Sequence, residues 1–230
     1  MDPMSQNYYI TTPIYYVNDK PHIGHAYTTL ACDVLARFKT LDGYDVTFLT
    51  GTDEHGQKVE KAAEAAGLTP QCFTDQVSQN FRDLTKGMNF ANNDFIRTTE
   101  DRHKAACQKI WSILRENGHI TLGKYEGWYS VRDETFFTET ELVDGVAPTG
   151  ATVEWVEEPS YFFNLSAWQD KLLDFYEKNP RFVGPESRFN EVKSFVKGGL
   201  HDLSVSRASF NWGVSVPGDD EHVMYVWLDA

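Results

Sequence analysis

The stretch "YYVNDKPHIGHAYTTLACDVL" (Tyr15–Leu35) decides the fold. It opens on aromatic and β-branched residues that extend back to Tyr8, and Tyr8 to Val17 reads as one buried strand. Asn18-Asp19-Lys20-Pro21 breaks that strand. From His22 onward, Ile23, Tyr27, Leu30, Ala31, Val34, Phe38 and Leu41 recur with a helical period, until Asp42-Gly43 stops the helix.

The same alternation continues downstream. Tyr44 to Gly51 reads as a second strand, followed by "TDEHG" and an Ala-rich helix ending at Gly67. Thr69-Pro70 is a cap and first-turn signal for a helix with Phe73, Val77, Phe81 and Leu84 on one face. Asp94 to Thr99 reads as a short strand and Arg102 to Asn117 as an amphipathic helix. Strands alternating with helices imply an α/β fold with a Rossmann-like, doubly wound parallel sheet. Such sheets bind ligands beyond the carboxyl ends of their strands. Both "NDKPHIGH" and "GTDEHG" fall at those ends.

After Gly118 the texture changes to turn-rich, aromatic and acidic sequence with short strand-like pieces, followed by two helical segments, "NLSAWQDKLLDFYEKNP" and "ESRFNEVKSFVKGG". The expected organisation is residues 1–118 as the first half of the α/β domain, 119–200 as an insertion of mixed strands and helices, and 201–230 as the return. The chain stops at Ala230 inside an apolar element, so a fragment boundary is expected there.

Composition narrows the function classes. The chain has 230 residues, 41% hydrophobic, which suits a well-cored globular protein. Its net charge of −13 excludes a generic nucleic-acid coat but leaves room for a local basic patch. Lys171, Lys178, Arg181, Arg188, Lys193 and Lys197 cluster late in the insertion and are read as solvated helix charges. Cys32, Cys72 and Cys107 are an odd, scattered set, expected to be unpaired thiols buried as small hydrophobes in a reducing compartment. "MDPMSQN" lacks the features of a signal peptide, and no apolar run reaches the length of a membrane span. A cytoplasmic location without membrane contact is expected.

The chemistry concentrates at His22, Gly24 and His25. A helix N-terminus binds anions through unpaired amides and the dipole. Imidazoles at i and i+3 share a face and can add N–H donors to phosphate oxygens. Gly24 between them removes a side chain, so a base or ribose can approach the backbone. A metal reading remains open: the same histidines with Asp53, Glu54 and His55 would make a plausible hydrolase centre. A plain polar helix start is the third possibility.

"HIGH" (His22–His25), after a strand and opening a helix, resembles the ATP-binding signature of class I aminoacyl-tRNA synthetases. "TTPIYYVNDKPHIGHAYT", "FLTGTDEHGQKV", "DFIRTT", "YEGWYS…ETELVDG", "LSVSR", "WGVSVPGD" and "YVWLDA" resemble, in order and across almost the whole chain, the methionyl-tRNA synthetase family of bacterial type. The resemblance implies a ligase that joins methionine to ATP, taken as its Mg2+ complex, and then transfers methionine to the 3′ end of methionine tRNA. The segment 119–200 is then that family's connective-peptide domain.

By the same resemblance, His22 and His25 are the catalytic histidines and bind ATP together with Gly24. Asp53 holds the methionine ammonium, and Ile14, Tyr16 and Trp227 line the pocket for its side chain. A polarizable thioether suits an aromatic pocket. No role is assigned to Glu54 or His55. Many relatives carry a zinc knuckle in the insertion, but here the matching positions are Ser130, Asp133, Ala147 and Gly150, so no structural zinc and no other metal ligand is expected. The insertion is expected to rest on Trp128, Phe136, Phe137 and Trp155. The family's "KMSKS"-type loop and anticodon-binding domain are not found, so weak activity of these residues alone is expected, as a monomer. The competing readings are another class I synthetase or HxGH nucleotidyltransferase, and a non-catalytic nucleotide- or RNA-binding module.

Overall fold

A computed structural model describes residues 6–133, 135–137 and 139–230; the start of "MDPMSQN" and the side chain of Phe136 lie outside what it describes. The chain forms two compact units. The first comprises residues up to Gln108 with Phe210–Val214 and Val226–Ala230; the second comprises Lys109–Ser209 and Ser215–Tyr225.

The first unit is built on a parallel sheet. Its central strand β3 (Asp45–Asp53) pairs on one side with β1 (Asn7–Thr11) and then β2 (Tyr15–Tyr16), and on the other with β4 (Asp94–Arg97). The single strand expected over Tyr8 to Val17 is therefore two pieces in line. Pro13 has no N–H and interrupts the ladder. Thr12 N–H still reaches Leu49 O at 3.1 Å, and Val17 N–H reaches Asp53 O at 3.2 Å, so the alignment survives the gap. Gly51 lets β4 approach: a Cβ there would lie 2.1 Å from the carbonyl oxygen of Ile96.

The helix α1 (Ile23–Leu41) forms where its period places it, but the expected apolar stripe is not its buried face. Ile23, Tyr27, Leu30, Val34, Phe38 and Leu41 are exposed, and Thr29, Asp33 and Ala36 are buried. Polar anchoring explains the orientation. Asp33 accepts from Ala91 N–H at 2.6 Å and from Arg37 Nε at 2.7 Å, while Thr29 Oγ1 pairs with the Tyr15 hydroxyl at 2.8 Å.

Helices α2 (Gln57–Ala65) and α3 (Pro70–Gly87) follow, the latter capped by Thr69 Oγ1, which accepts from Cys72 N–H at 3.2 Å. Tyr15, Val17, Val59, Phe81 and Phe95 form the core, with Phe73, Val77 and Trp212 packed on it. Cys107, on α4 (Asp101–Glu116), is the buried cysteine of the three; Cys32 is half-buried and Cys72 exposed, and all are free thiols.

The second unit centres on a long antiparallel ladder between β5 (Ile120–Ser130) and β7 (Glu154–Phe163), flanked by β6 (Thr135–Phe137) and β8 (Leu203–Ser204). A smaller sheet joins β9 (Ser206–Arg207), β10 (Ser215–Val216) and β11 (Asp219–Met224). Helices α5 (Gln169–Lys178) and α6 (Glu186–Lys197) close over Tyr176, Val196 and Leu200. Of the aromatics expected to hold this unit, Trp128 meets Trp155 edge-on at 5.4 Å, yet Trp155 is 53% exposed and forms no core. The fully buried indole is Trp111, against Tyr161 at 5.2 Å. Among the described residues no helix is long and apolar enough to cross a membrane.

Candidate active site

The carboxyl edge of the parallel sheet brings together three of the residues singled out from sequence, Ile14, Tyr16 and Asp53. Tyr16 and Asp53 are register partners at the ends of β2 and β3, and Ile14 immediately precedes β2. All three are half-buried. The chain leaving β2 crosses Asn18–Pro21 and enters α1 at His22.

That entry is a reciprocal cap. His22 Nδ1 accepts from Gly24 N–H at 3.1 Å, and His25 Nδ1 accepts from His22 N–H at 3.1 Å. The two rings stack with centroids 3.7 Å apart. A neutral imidazole that accepts at Nδ1 carries its proton on Nε2. Both histidines are therefore fixed as Nε2–H donors at the positive end of a 19-residue helix. His25 also lies 4.7 Å from Tyr15 and 5.2 Å from Phe81, ring to ring. Burial, and next the neighbouring His22, hold its pKa below the ordinary histidine value, which keeps it neutral. Gly24 has a use beyond ligand access, since a Cβ there would stand 2.9 Å from His22 Cε1 and press on the capping ring.

Behind Asp53, the residues given no role from sequence turn out to be fixed in place. Glu54 is fully buried; Arg97 grips its carboxylate with two bonds of 2.7 and 2.8 Å, and the hydroxyls of Thr52 and Thr99 each donate at 2.6 Å. Trp212 Nε1 donates to the Glu54 carbonyl at 2.5 Å. His55 Nδ1 meets Asp229 Oδ2 at 2.7 Å, which ties the end of β3 to α7 (Val226–Asp229), the helix that carries Trp227. Trp227 itself is 63% exposed. On its far side Asp229 meets α4, where its carbonyl accepts from His103 Nε2 at 2.5 Å. Burial works to raise the Asp229 carboxyl, but the His103 ring, 3.3 Å from Oδ1, and the hydrogen bond from His55 outweigh it and hold the pKa below the usual range. Burial likewise opposes charge on His103, whereas its bonds to Asp229 and Cys107 push it up to about 10.

These engagements dispose of the hydrolase-type metal centre. Both Nδ1 atoms of His22 and His25 serve the backbone, Glu54 is taken by Arg97, and His55 by Asp229. Trp212 and Asp229 were not singled out from sequence, and Glu54 and His55 were named only as candidate metal ligands. The one available signal was the charge of Asp229 inside the apolar "YVWLDA"; "GTDEHG" is polar throughout and gives none.

A strand–turn–helix entry at the carboxyl edge of a parallel sheet is the arrangement of a class I synthetase catalytic fold. The model of the family "tRNA synthetases class I (M)" matches residues 8–154 and 140–230, and the chain belongs to that family. A "Methionine--tRNA ligase" of Rickettsia conorii is 68% identical over 228 residues, 99% of this chain and 45% of the relative. One of Mesorhizobium japonicum is 60% identical over 98% of this chain and 45% of the relative. The chain thus spans a little under half the length of these curated relatives. Among solved structures, Mycobacterium tuberculosis methionyl-tRNA synthetase in complex with methionyl-adenylate superposes with a TM-score of 0.92 at 53% identity, over 97% of this chain and 45% of the other. Its apo form gives 0.79 at 49% identity, over 100% of this chain and 45% of the other.

Proposed function

We propose that this chain supplies the ATP- and methionine-binding part of a methionine–tRNA ligase, a cytoplasmic monomer that takes ATP as its Mg2+ complex and passes methionine to methionine tRNA. The observation that carries the reading is the pair of Nε2–H donors that the His22–His25 cap fixes at the start of α1. Relatives named for this activity at 55–68% identity support the choice of methionine.

In the activation step a methionine carboxylate oxygen attacks the α-phosphorus of ATP; the new P–O bond forms as the bond to pyrophosphate breaks, giving methionyl-adenylate. Charge shifts onto the phosphate oxygens, and preorganised N–H donors there lower the barrier. His22 and His25 are assigned to that task. Asp53 is assigned to the methionine ammonium through a charge-assisted hydrogen bond. Ile14, Tyr16 and Trp227 are assigned to the thioether side chain, with Gly24 beneath the adenosine.

The insertion does not suit a zinc knuckle. Of the four matching positions, Asp133 alone offers a metal-binding carboxylate. Its Oδ2 already accepts from Ser130 Oγ at 2.8 Å and Thr149 Oγ1 at 2.5 Å, while Gly150 N–H closes a turn onto Ala147 O at 2.7 Å. Hydrogen bonds fill the place of metal–thiolate bonds, and no zinc is assigned there.

Amino-acid-dependent exchange between ATP and pyrophosphate tests the function. Methionine is expected to support exchange and leucine or cysteine not to, with His22→Ala and His25→Ala each lowering the rate about 100-fold. Exchange with a different amino acid would overturn the substrate, and RNA binding without any binding of ATP or a methionyl-adenylate analogue in calorimetry would overturn the enzyme.

A further inference from the structure

One cluster in the first unit has no part in the proposed chemistry. His103 and Cys107 stand at i and i+4 on α4, so both side chains fall on one face. They meet Asp229 of α7. Cys107 Sγ lies 3.3 Å from His103 Nε2, which lies 3.3 Å from Asp229 Oδ1, and one donor atom from each of the three residues lies within 4.8 Å of the others.

Hydrogen bonding leaves this cluster incomplete. His103 Nε2 carries a single proton, given to the Asp229 carbonyl at 2.5 Å, yet it also faces Oδ1 and Sγ. Asp229 Oδ2 is taken by His55 at 2.7 Å. Asp229 Oδ1 is buried, on a side chain only 2% exposed, and accepts no hydrogen bond. Three electron-rich atoms converge where one proton can serve only one of them.

We propose that His103 Nε2, Cys107 Sγ and Asp229 Oδ1 form a site for one divalent cation of the zinc type. Tetrahedral zinc holds nitrogen and oxygen at about 2.0–2.2 Å and sulfur at about 2.3 Å, which sets donor atoms about 3.3–3.7 Å apart. The two 3.3 Å separations sit at the short end of that spacing, and Sγ and Oδ1 lie within 4.8 Å of each other, so small side-chain shifts bring the three donors onto one ion. Thiolate with imidazole selects zinc or another late first-row cation over magnesium or calcium. His55, bonded to the other oxygen of Asp229, is the outer partner that orients a ligating carboxylate. On binding, the cation displaces the Cys107 thiol proton and the Nε2 proton of His103; both go to solvent, and His103 gives up its bond to the carbonyl. Water takes the fourth position. The site departs from the expectation of no metal ligand, and it lies in the first unit, away from the knuckle positions 130–150. It clamps α7 to α4 and takes no part in catalysis.

Cobalt(II) is the probe. The intact protein, stripped with a chelator and titrated with Co2+, is expected to take up one equivalent with a thiolate-to-cobalt charge-transfer absorption that Zn2+ abolishes. Cys107→Ser removes that absorption, while Cys32→Ser and Cys72→Ser retain it. His55→Asn weakens zinc binding about 10–100-fold. Should Cys107→Ser fail to fold, His103→Gln supplies the same loss at a position nearer the surface. Wild-type protein without charge-transfer absorption at saturating cobalt, or absorption that survives both Cys107→Ser and His103→Gln, overturns the site.

Discussion

His55 Nδ1 donates to Asp229 Oδ2 at 2.7 Å across 174 residues of chain, and both side chains are buried. This bond links the strand end that presents Asp53 to the short helix that presents Trp227. His55→Ala leaves the Asp229 carboxylate short of one donor in a dry site, so unfolding free energy should fall by about 1–3 kcal/mol. Because the loss loosens α7 and touches no phosphate donor, KM for methionine should rise more than kcat falls. Urea unfolding and exchange kinetics measure the two effects; equal losses in both kinetic constants would refute the positioning role.

The Glu54–Arg97 pair should weigh more on stability. Glu54 is fully buried, and Arg97 supplies two of the four side-chain donors to its carboxylate. Arg97→Ala removes the countercharge but leaves the carboxylate, a change that costs about 3–5 kcal/mol at buried pairs. Arg97→Lys restores charge without the bidentate fork and should recover only part of that. The reading is the urea midpoint at unchanged slope. An Arg97→Ala variant within 1 kcal/mol of wild type, to order of magnitude, would contradict the structure.

Two glycines should respond to alanine to very different degrees. At Gly51 the new methyl meets the Ile96 carbonyl at 2.1 Å, and backbone in a parallel sheet cannot give way. Gly51→Ala should therefore cost more than the 1–3 kcal/mol typical of overpacking, and soluble expression should collapse. At Gly24 the methyl meets the His22 ring at 2.9 Å, and that side chain can swing aside. Gly24→Ala should fold with a loss of about 1 kcal/mol from the weakened cap. Its exchange rate should nevertheless drop, because the displaced imidazole no longer holds its donor in place.

How much of this was legible follows from the range of each interaction. The Thr69-Pro70 cap, the α1 period and the strand–turn–helix entry at His22 are local, and they stand where the residue order puts them. The buried side of α1 is not local. Thr29 and Asp33 turn inward because Tyr15 and Ala91 wait there, and no periodicity records those partners. Pro13 could have been taken as the break it makes in the first strand. Glu54 and His55 received no role because Arg97, Thr99 and Asp229, which satisfy them, are scattered over the chain.

The pH dependence turns on His25. Its pKa in the folded chain is lowered by burial and then by His22, while the unfolded value is about 6.5. Between the folded pKa and about 6.5 the unfolded state binds more protons, so stability rises with pH through that window and is level above it. If ATP binds as proposed, its polyphosphate near His25 favours the imidazolium and reverses the balance. Binding should therefore take up a proton, and near pH 6 affinity should increase as pH falls. Calorimetry of ATP binding in two buffers of different ionisation enthalpy measures the uptake directly. His25→Gln, which keeps an N–H donor but cannot titrate, should abolish it; uptake that persists in that variant would place the proton elsewhere.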